Sequence, residues 1–270
     1  MLWDTHMHTY FSSDSEADIH GMIQAALDAG IDGICFTDHM DIDYPCDKPQ
    51  AFFFDLPEYY HKMKEIQSEY MGRFPIRIGM ELGLQVHLKD RLPKITTQYP
   101  LDFVIGSSHL VHGMDPYYPE YFQGKEEDNA YLEYFESILE NLAVFDCFDV
   151  YGHIDYIVRY GPSQNQFYSY EKFADVIDEI LRTLIAKGKG IEINTAGFKY
   201  GLGHPHPTEK ILKRYHELGG EIITIGADAH RPEHVAFEFK KVPEILKKAG
   251  FQYYTVFCKR KAEFYPLETY

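Results

Sequence analysis

Short apolar runs alternate with longer segments in which apolar residues recur every three or four positions. The short runs are 33–37 (GICFT), 76–82 (IRIGMEL), 102–108 (DFVIGSS), 149–154 (DVYGHI), 190–195 (GIEINT) and 222–228 (IITIGAD). With the opening stretch around LWDTHMH they predict seven strands. Residues 15–30 (SEADIHGMIQAALDAG) place Ile19, Met22, Ile23, Ala26 and Leu27 on one helical face, after a Ser or Asp cap and before Gly30. Residues 56–71 put Pro57 where a first helical turn tolerates it. Further helices are predicted over 128–143, 170–187 and 207–218, and a last one ends at Gly250 before a final strand in FQYYTVF.

Strands alternating with helices imply βαβ units and a mostly parallel sheet. Seven units imply an α/β fold, a distorted (β/α)7 barrel related to the eightfold TIM barrel, expected as a single domain over residues 1–270. In such barrels the active site gathers at the C-terminal ends of the strands.

Composition narrows the partners. The 42 acidic and 26 basic residues give a net charge of −16, which disfavours nucleic acid as a partner. A phosphate bound here must meet a local cationic centre, which metal ions can supply. No apolar run approaches the length of a membrane span. Cys35, Cys46, Cys147 and Cys258 form no C-x-x-C pair and no signal peptide is evident, so free thiols and a cytoplasmic location are expected.

The chemistry lies at the strand ends. The first strand ends in His6 and His8, the second in Asp38 and His39. The third carries Glu81, the fourth ends at His109, the fifth at His153 and Asp155. The sixth carries Glu192 and Asn194, and the seventh ends in Asp228 and His230. A side-chain period of two puts His6 with His8, and Asp228 with His230, on one face. Imidazoles and carboxylates converging in this number, with Asp14 on the first loop, exceed one tetrahedral site and imply two or three divalent ions. Glu81 is the natural bridge, because its two oxygens can bind two ions. Of the other histidines, His20, His61 and His216 read as exposed helix positions and His204 with His206 in GHPHP as a rigid turn rather than a surface metal site, while His87, His112 and His234 are left unassigned.

The ordered set DTHMHT, FTDHMD, GMELGL, GSSHLV, YGHIDYI, EINTAG and GADAH resembles the polymerase and histidinol phosphatase superfamily, the PHP phosphoesterases. The likeness spans essentially the whole chain. GSSHLV, GHIDYI, EINTAG and the ending FCKRKAEFYPL are similar to the monofunctional histidinol-phosphate phosphatase branch. The resemblance implies a trinuclear site of zinc, manganese or iron. A first ion would take His6, His8, Glu81 and Asp228. A second would share Glu81 and add His109 and His153, and a third would take Asp14, His39 and His230. Related sequences often place His where Asp14 stands, and an oxygen donor there softens the preference for zinc. Arg159 fits one phosphate-binding position. Lys199 stands where an Arg is usual and would hold phosphate as a point charge.

The activity implied is hydrolysis of a small phosphate monoester, L-histidinol phosphate first, by attack of metal-activated hydroxide. Glu81 would bridge, and either Asp228 or His230 would move the proton to the leaving group. No Cys or Asp nucleophile motif calls for a phosphoenzyme. Alternatives are another small phosphorylated metabolite, a nucleotide or phosphotyrosine as substrate, a barrel amidohydrolase, or a non-catalytic metal-binding domain. Three loops after ligand strands (DYPCDKPQAFFFD, VHGMDPYYPEYFQG and RYGPSQNQFYSY) are rich in aromatics, which either pin the loops to the barrel or form a lid over the substrate.

Overall fold

The computed structural model describes residues 1–45 and 52–267; Cys46 and the middle of the first aromatic loop lie outside them. The main sheet is built from β1 (Trp3–Met7), β2 (Gly33–Phe36), β3 (His39–Met40), β4 (Ile76–Gly83), β5 (Phe103–Ser107), β6 (Val150–Tyr151), β7 (Gly190–Asn194) and β8 (Ile223–Gly226). Its order is β1-β2-β4-β5-β6-β7-β8, every pair parallel, so the seven-strand reading holds. The sheet is nearly closed into a barrel. At the seam β1 and β8 meet through one parallel bridge, Met7 to Ala229, where the His8 amide donates to the Ala229 carbonyl at 2.8 Å.

β3 departs from the expected pattern. β2 pairs with the first half of β4, and after a break at Thr37 and Asp38 the chain resumes as β3 along the second half. The break carries His39 up the barrel until it sits directly beside Glu81 in register.

Helices lie between the strands: α1 (Ile19–Ala29), α2 (Leu56–Glu69), the single turn α3 (Leu92–Ile95), α4 (Glu127–Val144), α5 (Ala174–Ala186), the short α6 (Ala196–Lys199), α7 (Glu209–Glu217) and α8 (Val242–Ala249). The Asp18 side chain caps α1 by accepting from the Gly21 amide, and Gly30 ends it at φ +71°, the left-handed conformation that glycine reaches without strain. Asp55 caps α2 in the same way from Glu58. The segment read as one helix from 170 opens as a 3₁₀ turn over Tyr170–Phe173 before α5 begins. No helix among the described residues is long and apolar enough to cross a membrane.

The final strand is half of a hairpin. β9 (Tyr253–Cys258) pairs antiparallel with β10 (Lys261–Pro266) and blocks the N-terminal end of the barrel. Phe257 stacks on Phe103 with ring centroids 5.1 Å apart, inside a cluster with Cys35, Ile105 and Val150. Asp102 and Asp149, just before β5 and β6, take up the Lys259 amide and the Arg260 guanidinium. The opposite end is left open for chemistry.

Candidate metal centre and substrate cavity

The strand ends, with the loop after β1 that carries Asp14, bring all nine residues expected as metal ligands to the open end. Glu81 sits at the middle of them, fully buried on β4. Its Oε2 lies 3.2 Å from His6 Nε2 and 3.6 Å from His8 Nε2, and Asp228 Oδ1 lies 3.3 Å from His8 Nε2. Its Oε1 lies 3.2 Å from His109 Nε2 and 2.9 Å from His153 Nε2. At the rim, Asp14 Oδ2 is 3.2 Å from His230 Nε2 and 3.6 Å from His39 Nε2. Three-residue sets from this cluster, such as His6–His8–Glu81 and Glu81–His109–His153, hold donor atoms within 4.8 Å of one another.

The donor set fits divalent ions on an observation of its own. His6 Nε2, His8 Nε2 and Glu81 Oε2 are buried and have no hydrogen-bond partner, although they converge. Buried lone pairs left without donors are costly, and a cation satisfies them together. The electrostatics agree. Burial alone would push the Glu81 and Asp228 carboxyls up, but neighbouring imidazoles, His6 foremost, hold both well below the usual carboxylate range. Burial, with His230 and His39 close by, drives His8 well below the usual imidazole value and keeps it a neutral donor.

A further layer of side chains holds the rings. His6 Nδ1 is 2.7 Å from Glu192 Oε1, whose other oxygen accepts from the His153 amide and from Asn194. Gly226 on β8 lets this layer close up, since a Cβ there would overlap Glu192 and the His6 Cβ. His8 Nδ1 is 3.0 Å from Ser12 Oγ, which donates to Asp38, so Asp38 acts through Ser12 and Thr9 rather than facing the centre. Asp41 spans two rings, 2.8 Å from His109 Nδ1 and 3.2 Å from His39 Nδ1. Sequence reasoning missed Asp41. The alternation D-H-M-D after β2, which returns an acid to the His39 face, was the available signal. Asp228 itself sits at φ +51°, a conformation uncommon for a non-glycine residue and typical of functional positions.

A cavity of about 600 Å³ opens above the cluster. Arg159, nearly buried, reaches in with Nη1 3.9 Å from Asp228 Oδ2, and its guanidinium packs 4.6, 4.6 and 4.3 Å from the rings of Tyr156, Tyr160 and Tyr200. Lys199 donates to the Asp228 carbonyl at 3.1 Å and also lines the cavity. Asp115, which accepts from Tyr44 at 2.5 Å, faces the same space, and no spacing or motif distinguishes it from the other loop acids. In the second aromatic loop Tyr121 and Phe122 are buried against the barrel, while Tyr117 and Tyr118 are exposed at the cavity rim.

GHPHP forms a turn, as its sequence suggested: His206 is buried, its Nδ1 lies 2.5 Å from Asp155 Oδ1, and its backbone bridges to Asn194. Asp155 anchors that turn. His216, read as an exposed helix position, packs its ring 4.8 Å from Phe251.

The model of the PHP domain matches residues 4–196, more than half of the chain. The chain belongs to the PHP family. This PHP protein is 31% identical over 261 residues to the histidinol-phosphatase of Lactococcus lactis, covering 96% of each chain. It is 32% identical over 255 residues to a probable histidinol-phosphatase of Clostridium acetobutylicum, covering 93% of this chain and 95% of the relative. A crystal structure of the L. lactis histidinol phosphate phosphatase, complexed with zinc, L-histidinol and phosphate, superposes with a TM-score of 0.90 over 97% of this PHP chain and 98% of its own.

Proposed function

We propose that this PHP protein is a metal-dependent phosphate monoester hydrolase that converts L-histidinol phosphate to L-histidinol and phosphate. The observation that carries the reading is a buried cluster of unpartnered imidazole and carboxylate donors facing Arg159 and Lys199 across one cavity. The likeness to the L. lactis enzyme, whose structure holds zinc, histidinol and phosphate, supports the choice of substrate.

His6, His8, Glu81 and Asp228 would hold one ion, Glu81, His109 and His153 a second, and Asp14, His39 and His230 a third. Divalent ions at such donors lower the pKa of water and neutralise phosphoryl oxygens, the two obstacles to monoester hydrolysis. The chain supplies the rest. Arg159 presents its guanidinium fork to the phosphoryl group, fixed in direction by the three tyrosine rings. Lys199 adds a point charge beside it. Asp228 stands next to Arg159, and it or His230, whose Nδ1 lies 3.5 Å from Asp228 Oδ1, would carry the proton given up by the attacking water on to the leaving alkoxide. Tyr117, Tyr118 and Tyr160 wall the cavity against water around a substrate ring, and Asp115 offers a carboxylate to a substrate ammonium.

Purified protein loaded with zinc or manganese tests this against a substrate panel. The expected result is a kcat/KM for histidinol phosphate roughly a hundredfold above those for phosphotyrosine and a phosphodiester. A preference for either of the latter, or no phosphate release with any metal, sinks the proposal.

A further inference from the structure

A second groove, of about 770 Å³, lies at the end of the barrel opposite the metal donors. Its walls are the C-terminal end of α2, the start of β4 and the tip of the β9–β10 hairpin. Four cationic side chains line it: Lys64, Arg73, Arg77 and Lys259.

Their surroundings are unusual for this chain. Acidic residues outnumber basic ones 42 to 26, and more than half of the lysines and arginines among the described residues hold a carboxylate. Lys64, Arg73 and Lys259 hold none. Lys64 donates to the Gln67 amide oxygen at 2.5 Å, and Arg73 turns back to the Glu69 carbonyl. Arg77 reaches Glu263 only at 3.8 Å, and its Nε is buried without a hydrogen-bond partner. The one carboxylate in the groove, Asp102, is occupied by the Ile78 and Lys259 amides. Three cationic groups without a carboxylate partner, Lys64, Arg73 and Lys259, are thus gathered with Arg77 around the single groove carboxylate, Asp102. Between them Tyr60, Met71, Phe74 and Pro100 offer flat and apolar wall.

We propose that this groove is a second binding site, separate from the catalytic cavity, for a small molecule that carries at least two negative charges on a flat ring. Lys64, Arg73 and Lys259 would meet the charged groups, and Tyr60 and Phe74 the ring. The chain carries a reporter for the event: its single tryptophan, Trp3, lies under the Arg77 guanidinium at 5.4 Å.

The test is calorimetric titration of the metal-loaded full chain with naphthalene-1,5-disulfonate, an aromatic dianion whose sulfonates are poor metal ligands. Saturable binding of one probe per chain is expected, with a change in Trp3 emission over the same concentrations. Binding should fall roughly tenfold or more in the triple variant Lys64→Ala, Arg73→Ala, Lys259→Ala. Inorganic sulfate, which has the charge but no ring, should bind far more weakly than the probe. The variant's circular dichroism and phosphatase activity should match those of the parent, because none of the three side chains reaches the catalytic cavity. No saturable binding, equal binding by parent and variant, or competition of the probe with the phosphatase substrate would overturn the proposal.

Discussion

Glu192 never lines the substrate cavity, yet it fixes two of the proposed ligands at once, His6 through its ring nitrogen and His153 through its backbone amide. Such outer carboxylates set ring direction and ligand basicity. Replacing Glu192 with Gln should lower metal retention by roughly 10–100-fold, read as metal content after dialysis against a chelator, with the fold kept by circular dichroism. Arg159 belongs to the same scale. Arg159→Lys keeps the charge but loses the fork, so kcat/KM for the phosphate ester should drop by roughly a hundredfold. An unchanged value would remove Arg159 from the phosphate site. The metal donors themselves were legible in the sequence because barrel physics sends strand-end polar residues to one place, so ordered His and Glu positions suffice. Asp115 was not, because it reaches the cavity through loop conformation, which obeys no short period; Asp41 was missed although its spacing of two from His39 was readable.

At the scale of elements, the strand and helix alternation was readable since apolar periodicity records burial directly. The hairpin of β9 and β10 escaped for a physical reason. Its two turn residues, Lys259 and Arg260, have φ of +50° and +63°, a turn usually marked by Asn-Gly, and here its sequence, Lys-Arg, carries no such mark. β10 reads KAEFYP, with no regular alternation of apolar and polar positions, and so resembles a surface loop in sequence. Between α5 and α7 the contact is ionic. Asp178 accepts from Arg214 Nε and Nη2 and from Tyr170, and these contacts, Arg214 first, hold its carboxyl below the usual value. A carboxyl depressed in the folded state stabilises above its unfolded pKa, and that contribution is lost as pH falls through the folded value. Asp178→Asn should therefore lower Tm at neutral pH, with the gap from the parent narrowing as the pH falls toward about 3. A gap that stays constant across this range would assign the loss to packing.

For the whole molecule, the proposed ions and the barrel are one system. A ligand that binds only the folded state stabilises it in proportion to its affinity, and structural metals commonly do so strongly. Stripping the metals with a chelator should abolish phosphate release and lower Tm by several degrees, and zinc or manganese should restore both together. Recovery of Tm without activity would separate the ions from the chemistry.

The seam between β1 and β8 has a consequence for how the chain is made. His6 and His8 leave the ribosome more than two hundred residues before Asp228, which faces them across the seam. Until then the two imidazoles lack their partner carboxylate and their barrel wall, and capture of an ion at the proposed site would wait for β8 to close the ring. A chain cut short in translation keeps the opening motif, but not the enclosure that would make it reactive.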